Sequence, residues 1–171
     1  MTGAGDRIAT VARSVAAGRV ALRAGEVDLT TTPMWCLAFV RRIVELALEY
    51  QDGAFYTRWG TERVERAPGP PGGAWWARDL ERSMRNLGLA VPIDQLEDGD
   101  LVFNWKAAPN AHGVYIGHVG LVYDARAGLM LENANAAHRR FSLTRGAVAL
   151  TPRERFPITT AVRIPTEPGV S

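Results

Sequence analysis

The residue types able to carry out nucleophilic chemistry here are a single cysteine, Cys36, and a histidine between two glycines, His118. A thiolate attacks as a nucleophile when an imidazole stands close enough to take the thiol proton. The imidazole in turn needs a polar neighbour that holds its tautomer and orientation. The stretch LMLENAN, 129–135, supplies two such neighbours, Glu132 and Asn133. Together these four residues predict a nucleophilic centre built on sulfur.

The cysteine lies near the start of a helix that the sequence predicts over residues 31–50. Thr32 is a residue type that caps the first free amides, and Pro33 suits the first helical position because no backbone donor is needed there. Cys36 then falls in the first turn, where unpaired amides and the positive end of the helix dipole lower the pKa of a thiol. The alternative interpretation is that this lone cysteine is a small buried hydrophobe.

The histidine lies within a strand predicted over residues 113–124. Gly117 and Gly120 flank His118, and glycines inside a strand leave room for a second group to approach closely. A purely structural strand does not need such room. The glycines therefore favour a site at His118 over the alternative, a hydrogen-bonded core histidine.

The turn after this strand determines which polar residue lies beside His118. The loop DARAG fits a type I turn that closes on a glycine and pairs Asp124 with Leu129. This register places Asn133 on the same face as His118, one diagonal step away. A shift of one residue places Glu132 there instead. Turn geometry favours Asn133, with Glu132 as the alternative.

The elements that must position these residues follow an α+β order, with helices first and strands afterwards. A Pro/Gly-rich run, RAPGPPGG, predicts a loop between the second and third helices. At this length the chain predicts one domain over residues 1–171, with helices packed on a five- to six-stranded antiparallel sheet. The predicted helices span 6–24, 31–50 and 76–88, and the predicted strands span 101–105, 113–124, 129–133, 146–150 and 158–164. Gly25 is a plausible stop for the first helix, and Gly88 is suited to follow the third, whose apolar stripe includes Leu80, Met84 and Leu87.

Composition argues against several classes of function. The net charge is only +2 and no basic cluster interleaves with aromatic residues, so we expect no nucleic-acid partner. One cysteine cannot form an internal disulfide, and no CxxC, HExxH or similar ligand spacing is present, so we expect no metal and no cofactor. The two remaining histidines, His112 and His138, are interpreted as surface residues.

The N-terminal segment lacks a basic stretch followed by an apolar run, and no stretch of the sequence approaches the length of a transmembrane helix. We therefore expect no cleavable signal peptide and no membrane span. The predicted location is the cytoplasm, or the outside of the cell after delivery by a phage-type or non-classical route.

Four motifs, taken in order, resemble the papain-like cysteine peptidases of the NlpC type and the related CHAP amidases. They are WCLAFVRRI around Cys36, GDLVF at 99–103, GHVGLVYD around His118, and LMLENAN at 129–135. The resemblance covers about residues 6–150 and implies a papain-like fold. It also implies thiol-dependent cleavage of peptide or amide bonds, most often those of bacterial cell-wall peptidoglycan.

The resemblance implies a role for each candidate residue. Cys36 would be the nucleophile, and His118 would be the general base and then the general acid. Asn133, or Glu132 as the alternative, would orient the imidazole. The backbone amide of Cys36 would help to hold the oxyanion. Two other functions are compatible with the same motifs: a non-catalytic phage-tail, spore or wall-binding module, and acyl transfer to an acceptor other than water.

The sequence departs from this family beside the nucleophile. Trp35 precedes the cysteine where the family commonly has a small or polar residue. Leu37 and Ala38 follow it in place of the usual Ser-Gly. These bulky and apolar neighbours predict a narrower cleft or a different substrate.

Overall fold

Helices occupy the first part of the chain and strands the second, which confirms the α+β prediction. The computed structural model describes residues 2–60, 76–107, 117–134 and 143–167. The helices within these ranges are α1 (Ala4–Ala16), α2 (Cys36–Leu48), α3 (Ala54–Trp59) and α4 (Ala77–Asn86). The strands are β1 (Arg23–Ala24), β2 (Val27–Asp28), β3 (Ala90–Val91), β4 (Leu101–Asn104), β5 (His118–Asp124), β6 (Leu129–Asn133), β7 (Leu143–Arg145), β8 (Val148–Pro152) and β9 (Thr160–Val162).

The first helix is shorter than the predicted span of 6–24. It ends at Ala16 because Gly18 adopts a left-handed conformation, with φ of 71°, which closes the helix. The chain then forms a short antiparallel hairpin from β1 and β2, with Gly25 at φ of 58° in its turn. Gly18, and not Gly25, is therefore the residue that stops the helix.

The two helices after α2 differ in how well the sequence predicted them. α4 lies within the predicted span of 76–88, and Gly88 follows it at positive φ as expected. Leu80 and Met84 of its apolar stripe are fully buried, whereas Leu87 is 49% exposed. α3 was not predicted, although its Phe55 is fully buried in the core. The predicted Pro/Gly-rich loop lies outside the described residues.

Seven strands of the described chain form one antiparallel sheet, in the order β3-β9-β4-β5-β6-β8-β7. The five to six strands predicted from the sequence are extended by very short edge strands: β3 has two residues and β7 has three. β5 lies at the centre of the sheet, bonded to β4 on one side and to β6 on the other. The strand that begins with His118 is thus held from both sides.

The two faces of the sheet bury separate groups of side chains, as the alternation along a strand requires. Each fully buried large apolar side chain contributes about 1.5–3 kcal/mol through its removal from water. The packing therefore fixes the start of α2 against the start of β5. The face covered by α1 and α2 includes Leu101, Phe103, Val119, Leu121 and Leu131. The opposite face holds Val102, Val122, Met130, Phe156 and Ala161.

An ionic network is buried in the middle of α2. Glu45 is fully buried, and its Oε1 accepts hydrogen bonds from Arg41 Nη1 at 2.8 Å and Arg42 Nη1 at 3.0 Å. Its Oε2 accepts from the backbone N–H groups of Gly53 at 2.8 Å and Phe55 at 3.2 Å. One carboxylate therefore pairs with two arginines of α2 and also joins this helix to the start of α3.

Candidate active site

Cys36 is the first residue of α2, and Trp35 is its N-cap. The first amides of a helix have no acceptor within the helix, so the N-terminus carries partial positive charge. Cys36 is a partly buried residue that packs against the core. Its place at the start of α2 therefore holds the sulfur in position.

The helix start differs from the prediction that Thr32 caps the helix and Pro33 opens it. Met34 adopts φ of 68°, in the left-handed region that side chains rarely occupy, and this turn prevents a helix from beginning at Pro33. The backbone N–H of Thr32 donates instead to the carbonyl of Asp28 at 3.0 Å. As a result Cys36 occupies the first position of the helix rather than the end of its first turn.

Asn133 holds the segment that leads to the nucleophile. Its Nδ2 donates to the backbone carbonyls of Leu29 at 2.9 Å and Thr32 at 2.8 Å. Its Oδ1 accepts from the backbone N–H of Trp35 at 3.0 Å, and the side chain is 1% exposed. Three hydrogen bonds from one buried amide thus set the path of the chain up to the residue before Cys36.

His118 is the first residue of β5 and lies opposite Asn104 of β4. The space that the flanking glycines were expected to leave is filled by the protein itself. A Cβ on Gly117 would lie 3.0 Å from the backbone nitrogen of Arg78, and one on Gly120 would lie 3.0 Å from the ring of Phe156. The Phe156 ring also contacts the imidazole, with 5.4 Å between ring centroids. The glycines allow close packing around the histidine rather than ligand entry.

Glu132, and not Asn133, contacts the imidazole. His118 Nε2 lies 3.1 Å from Glu132 Oε1, and both side chains are mostly buried. The predicted pairing of Asp124 with Leu129 is confirmed, but a β-bulge at Tyr123 shifts the register beyond it. This shift of one residue places Glu132, instead of Asn133, on the same face of the sheet as His118. The placement of Asn133 beside His118, predicted from the turn alone, was therefore wrong, and the alternative placement of Glu132 is the one found.

The environment of Cys36 favours its thiolate. Burial raises the pKa of the thiol, but the positive charge of His118 and a hydrogen bond with that ring lower it. Hydrogen bonds from the backbone N–H groups of Val119 and Leu37 lower it further. The net result is a pKa below the ordinary value of 9.0. The start of α2 and the start of β5 both donate to the same sulfur.

The environment of His118 favours its protonated form. Burial lowers the pKa of the imidazole, but the negative charge of Cys36 and the hydrogen bonds to Cys36 and Glu132 raise it to about 10. Because Nε2 contacts Glu132, Nδ1 is the ring nitrogen left for the sulfur. At neutral pH this arrangement favours a thiolate–imidazolium pair with a carboxylate behind it.

Two of the backbone amides at the helix start are already engaged. The N–H of Trp35 is taken by Asn133, and the N–H of Leu37 donates to the sulfur. The N–H of Cys36 lies between them, in the first turn, where the helix provides no acceptor.

Sequence reasoning missed two features of this site. The bulge at Tyr123 has no signal in a single sequence, because the turn residues fit the unbulged register equally well. The function of Asn133 as a clamp also had no signal, since its partners are backbone groups about 100 residues earlier in the chain. The predicted surface residues His112 and His138 lie outside the described residues.

Comparisons with family models, with curated proteins and with solved structures found no match for this chain. In the described residues, no group of three or more histidine, cysteine and acidic side chains is placed to hold a metal ion. No helix in the same ranges has both the length and the apolar character needed to cross a membrane.

Proposed function

We propose that this protein is a thiol-dependent hydrolase of peptide or amide bonds, with Cys36 as its nucleophile. One observation carries the proposal: the thiol at the first position of α2 meets an imidazole whose far nitrogen is 3.1 Å from a buried carboxylate. A structural cysteine needs none of these partners. Nucleophile, base and orienting group in contact are what covalent catalysis at a carbonyl requires.

The reaction follows from the positions of these groups. The Cys36 thiolate attacks the carbonyl carbon of the substrate, and the negative charge moves to the carbonyl oxygen, where the Cys36 N–H stabilises it. The C–N bond then breaks as the His118 imidazolium gives its proton to the leaving amine, which leaves a thioester. His118, now neutral, takes a proton from water; the resulting hydroxide attacks the thioester, and the C–S bond breaks. The thiolate and the imidazolium are thereby restored.

The two candidates for the third role act on different partners. Glu132 orients the imidazole, because its carboxylate contacts Nε2 and stabilises the ring in its charged form. Asn133 is a positioning residue for the nucleophile, because it holds the chain up to Trp35. Of these two adjacent residues at the end of β6, Glu132 therefore orients the histidine and Asn133 positions the cysteine.

We further propose that the arrangement is papain-like, of the NlpC type, and that the substrate is bacterial peptidoglycan. The order of parts supports this: a cysteine at a helix start, then a histidine at the start of a central antiparallel strand, then an acidic residue on the next strand. Three of the four motifs that resemble the NlpC family lie at those elements, and the fourth, GDLVF, leads into β4, which pairs with the histidine strand.

The test is cleavage of purified peptidoglycan by the wild-type protein and by Cys36→Ala and His118→Ala, with products identified by mass spectrometry. We expect new amine and carboxyl termini with the wild type and none with either variant, while all three unfold in one cooperative transition. Cleavage by Cys36→Ala would refute the proposal. Inclusion of an amine acceptor separates hydrolysis from acyl transfer, and no product with the wild type favours a non-catalytic wall-binding module.

A further inference from the structure

Two cations and one aromatic ring form a cluster beside the candidate site. The guanidinium carbon of Arg78 lies 5.9 Å from the centroid of the Trp105 ring, and Lys106 Nζ lies 5.0 Å from it. The backbone at the ring is fixed, because the N–H of Trp105 donates to Thr159 Oγ1 at 3.1 Å. We call Arg78, Trp105 and Lys106 the Trp105 cluster.

The Trp105 cluster borders the start of the strand that carries His118. Trp105 directly follows Asn104, which pairs with His118. Gly117 donates its N–H to the carbonyl of Ala107 at 3.0 Å, and it leaves no room for a side chain against the backbone of Arg78. The backbone amide that contacts the Cys36 sulfur belongs to Val119, two residues after Gly117. It therefore lies only roughly 7 Å from Gly117 along the chain.

The charges of this cluster are not neutralised by the protein in the described ranges. None of the carboxylates there lies within 4.0 Å of Arg78 or Lys106. Arg41, by contrast, is paired with both Glu45 and Asp52. Two like charges near one ring repel each other, and the first turn of α4, which contains Arg78, adds partial positive charge. An anion bound here would relieve that repulsion.

We propose that the Trp105 cluster binds a free carboxylate of the substrate, within about two residues of the amide that Cys36 attacks. Arg78 and Lys106 are then residues that determine specificity, and Trp105 holds both cations in place through cation–π contacts. The inference rests on the proposed function, and it specifies its substrate class: peptides or muropeptides with an anionic group close to the cleaved bond. A guanidinium and an ammonium suit a carboxylate because both donate charge-assisted hydrogen bonds.

The test uses two alkylating probes that differ only in charge, N-bromoacetylglycine and N-bromoacetylglycinamide. In each reaction the Cys36 sulfur forms a bond to the CH₂ carbon, and bromide leaves. In N-bromoacetylglycine the carboxylate is one residue beyond the carbon that reacts. This spacing suits the short distance between the sulfur's contact at Val119 and the Trp105 cluster. Second-order rates are measured for the wild type, Arg78→Gln, Lys106→Gln and the double variant. Arg126→Gln is the matched control, since Arg126 is exposed in the turn at the other end of β5.

We expect the wild type to prefer the anionic probe over the neutral one by about tenfold, the effect of a hydrogen bond to a charged group. The preference should fall in each single variant, vanish in the double variant and persist in Arg126→Gln, with the rate for the neutral probe unchanged throughout. An equal preference in the wild type and the double variant would overturn the inference. Slow reaction of both probes with the wild type, at the rate of an ordinary thiol, would instead count against the proposed function.

Discussion

One group of ionisable residues surrounds the middle of α2 and a second surrounds its start, and the two groups are built from different kinds of charge. In the middle of the helix, Glu45 pairs with Arg41 and Arg42, whose guanidinium groups stay protonated at any ordinary pH. At the start of the helix, Cys36 and His118 each owe their charged form to the other. The permanent charges in the middle of the helix join α2 to α3. The charges of Cys36 and His118 depend on each other, and they provide groups that can give and take a proton.

Exposure separates the two groups as well. Both carboxylate oxygens of Glu45 accept hydrogen bonds from inside the protein, and the side chain is fully buried. Cys36, by contrast, is only partly buried. We therefore expect substitutions in the middle of α2 to change stability without changing thiol reactivity, and substitutions at its start to do the reverse.

The largest effect on stability is expected for Glu45→Ala. Removal of the carboxylate leaves the mostly buried Arg41 with only the exposed Asp52 as a partner, and two backbone N–H groups lose their acceptor. Loss of one partner from a buried ion pair typically costs about 3–5 kcal/mol. Urea unfolding should show this loss. Iodoacetamide should still alkylate the folded variant at the wild-type rate, and a slower rate would show that the two groups are coupled.

The largest effect on reactivity is expected for His118→Ala. Without the imidazolium, the largest remaining influence on the thiol is its burial, so the pKa of Cys36 rises. A thiol with the usual pKa of about 8.5 is only about 3% ionised at pH 7, so alkylation should slow by roughly thirtyfold or more relative to a fully ionised thiol. The rate is measured with iodoacetamide across a range of pH. An unchanged rate would mean that the helix start alone activates the sulfur.

A smaller effect on reactivity is expected for Asn133→Ala. The three hydrogen bonds that hold residues 29–35 are lost, so the sulfur should no longer sit in one position relative to His118. We expect alkylation to slow several-fold and stability to fall by about 1–3 kcal/mol.

Asp100→Ala is the matched control for a loss of stability alone. Asp100 is fully buried and accepts hydrogen bonds from Arg163 at 2.8 and 2.9 Å. It directly precedes β4, at the opposite end of that strand from Asn104, which pairs with His118. This variant should lose comparable stability and keep the wild-type alkylation rate. Equal slowing in both variants would reduce Asn133 to a structural role.

The smallest effect is expected for Glu132→Gln, which keeps a hydrogen-bond acceptor near Nε2 and removes only the charge. The pKa of His118 should fall, but by less than in Cys36→Ala, because the thiolate contributes more to raising it than the carboxylate does. The measurement is the high-pH limit of cleavage, which requires the imidazolium as proton donor and should move to lower pH. An unmoved limit would show that Glu132 does not sense the charge of the ring.

The sequence predicted the elements of this fold where a repeating pattern specified them. Apolar residues at helical spacing located α4, and Gly88 marked its end. Alternating apolar residues located the central strands β4, β5 and β6. The sequence also identified Cys36 and His118, because a lone cysteine and a glycine-flanked histidine are visible without any knowledge of the fold.

Contacts that involve the backbone could not be predicted in this way. The bulge at Tyr123 decides between Glu132 and Asn133, yet it depends on how three strands fit together rather than on the turn. The start of α2 depends on hydrogen bonds from Asn133 to a distant segment, and those override the local preference for a cap at Thr32. Local propensities are worth about 1 kcal/mol each, so three buried hydrogen bonds outweigh them.

The most direct test is an NMR titration of the His118 imidazole in the wild type and in Cys36→Ala. A raised pKa keeps the ring protonated through neutral pH, so the ion pair is lost as pH rises through about 10. At the acid end it is lost as pH falls through the lowered pKa of Cys36. We predict a midpoint near pH 10 in the wild type and a clear fall toward 6.5 in Cys36→Ala. A midpoint near 6.5 in both proteins would contradict the thiolate–imidazolium pair.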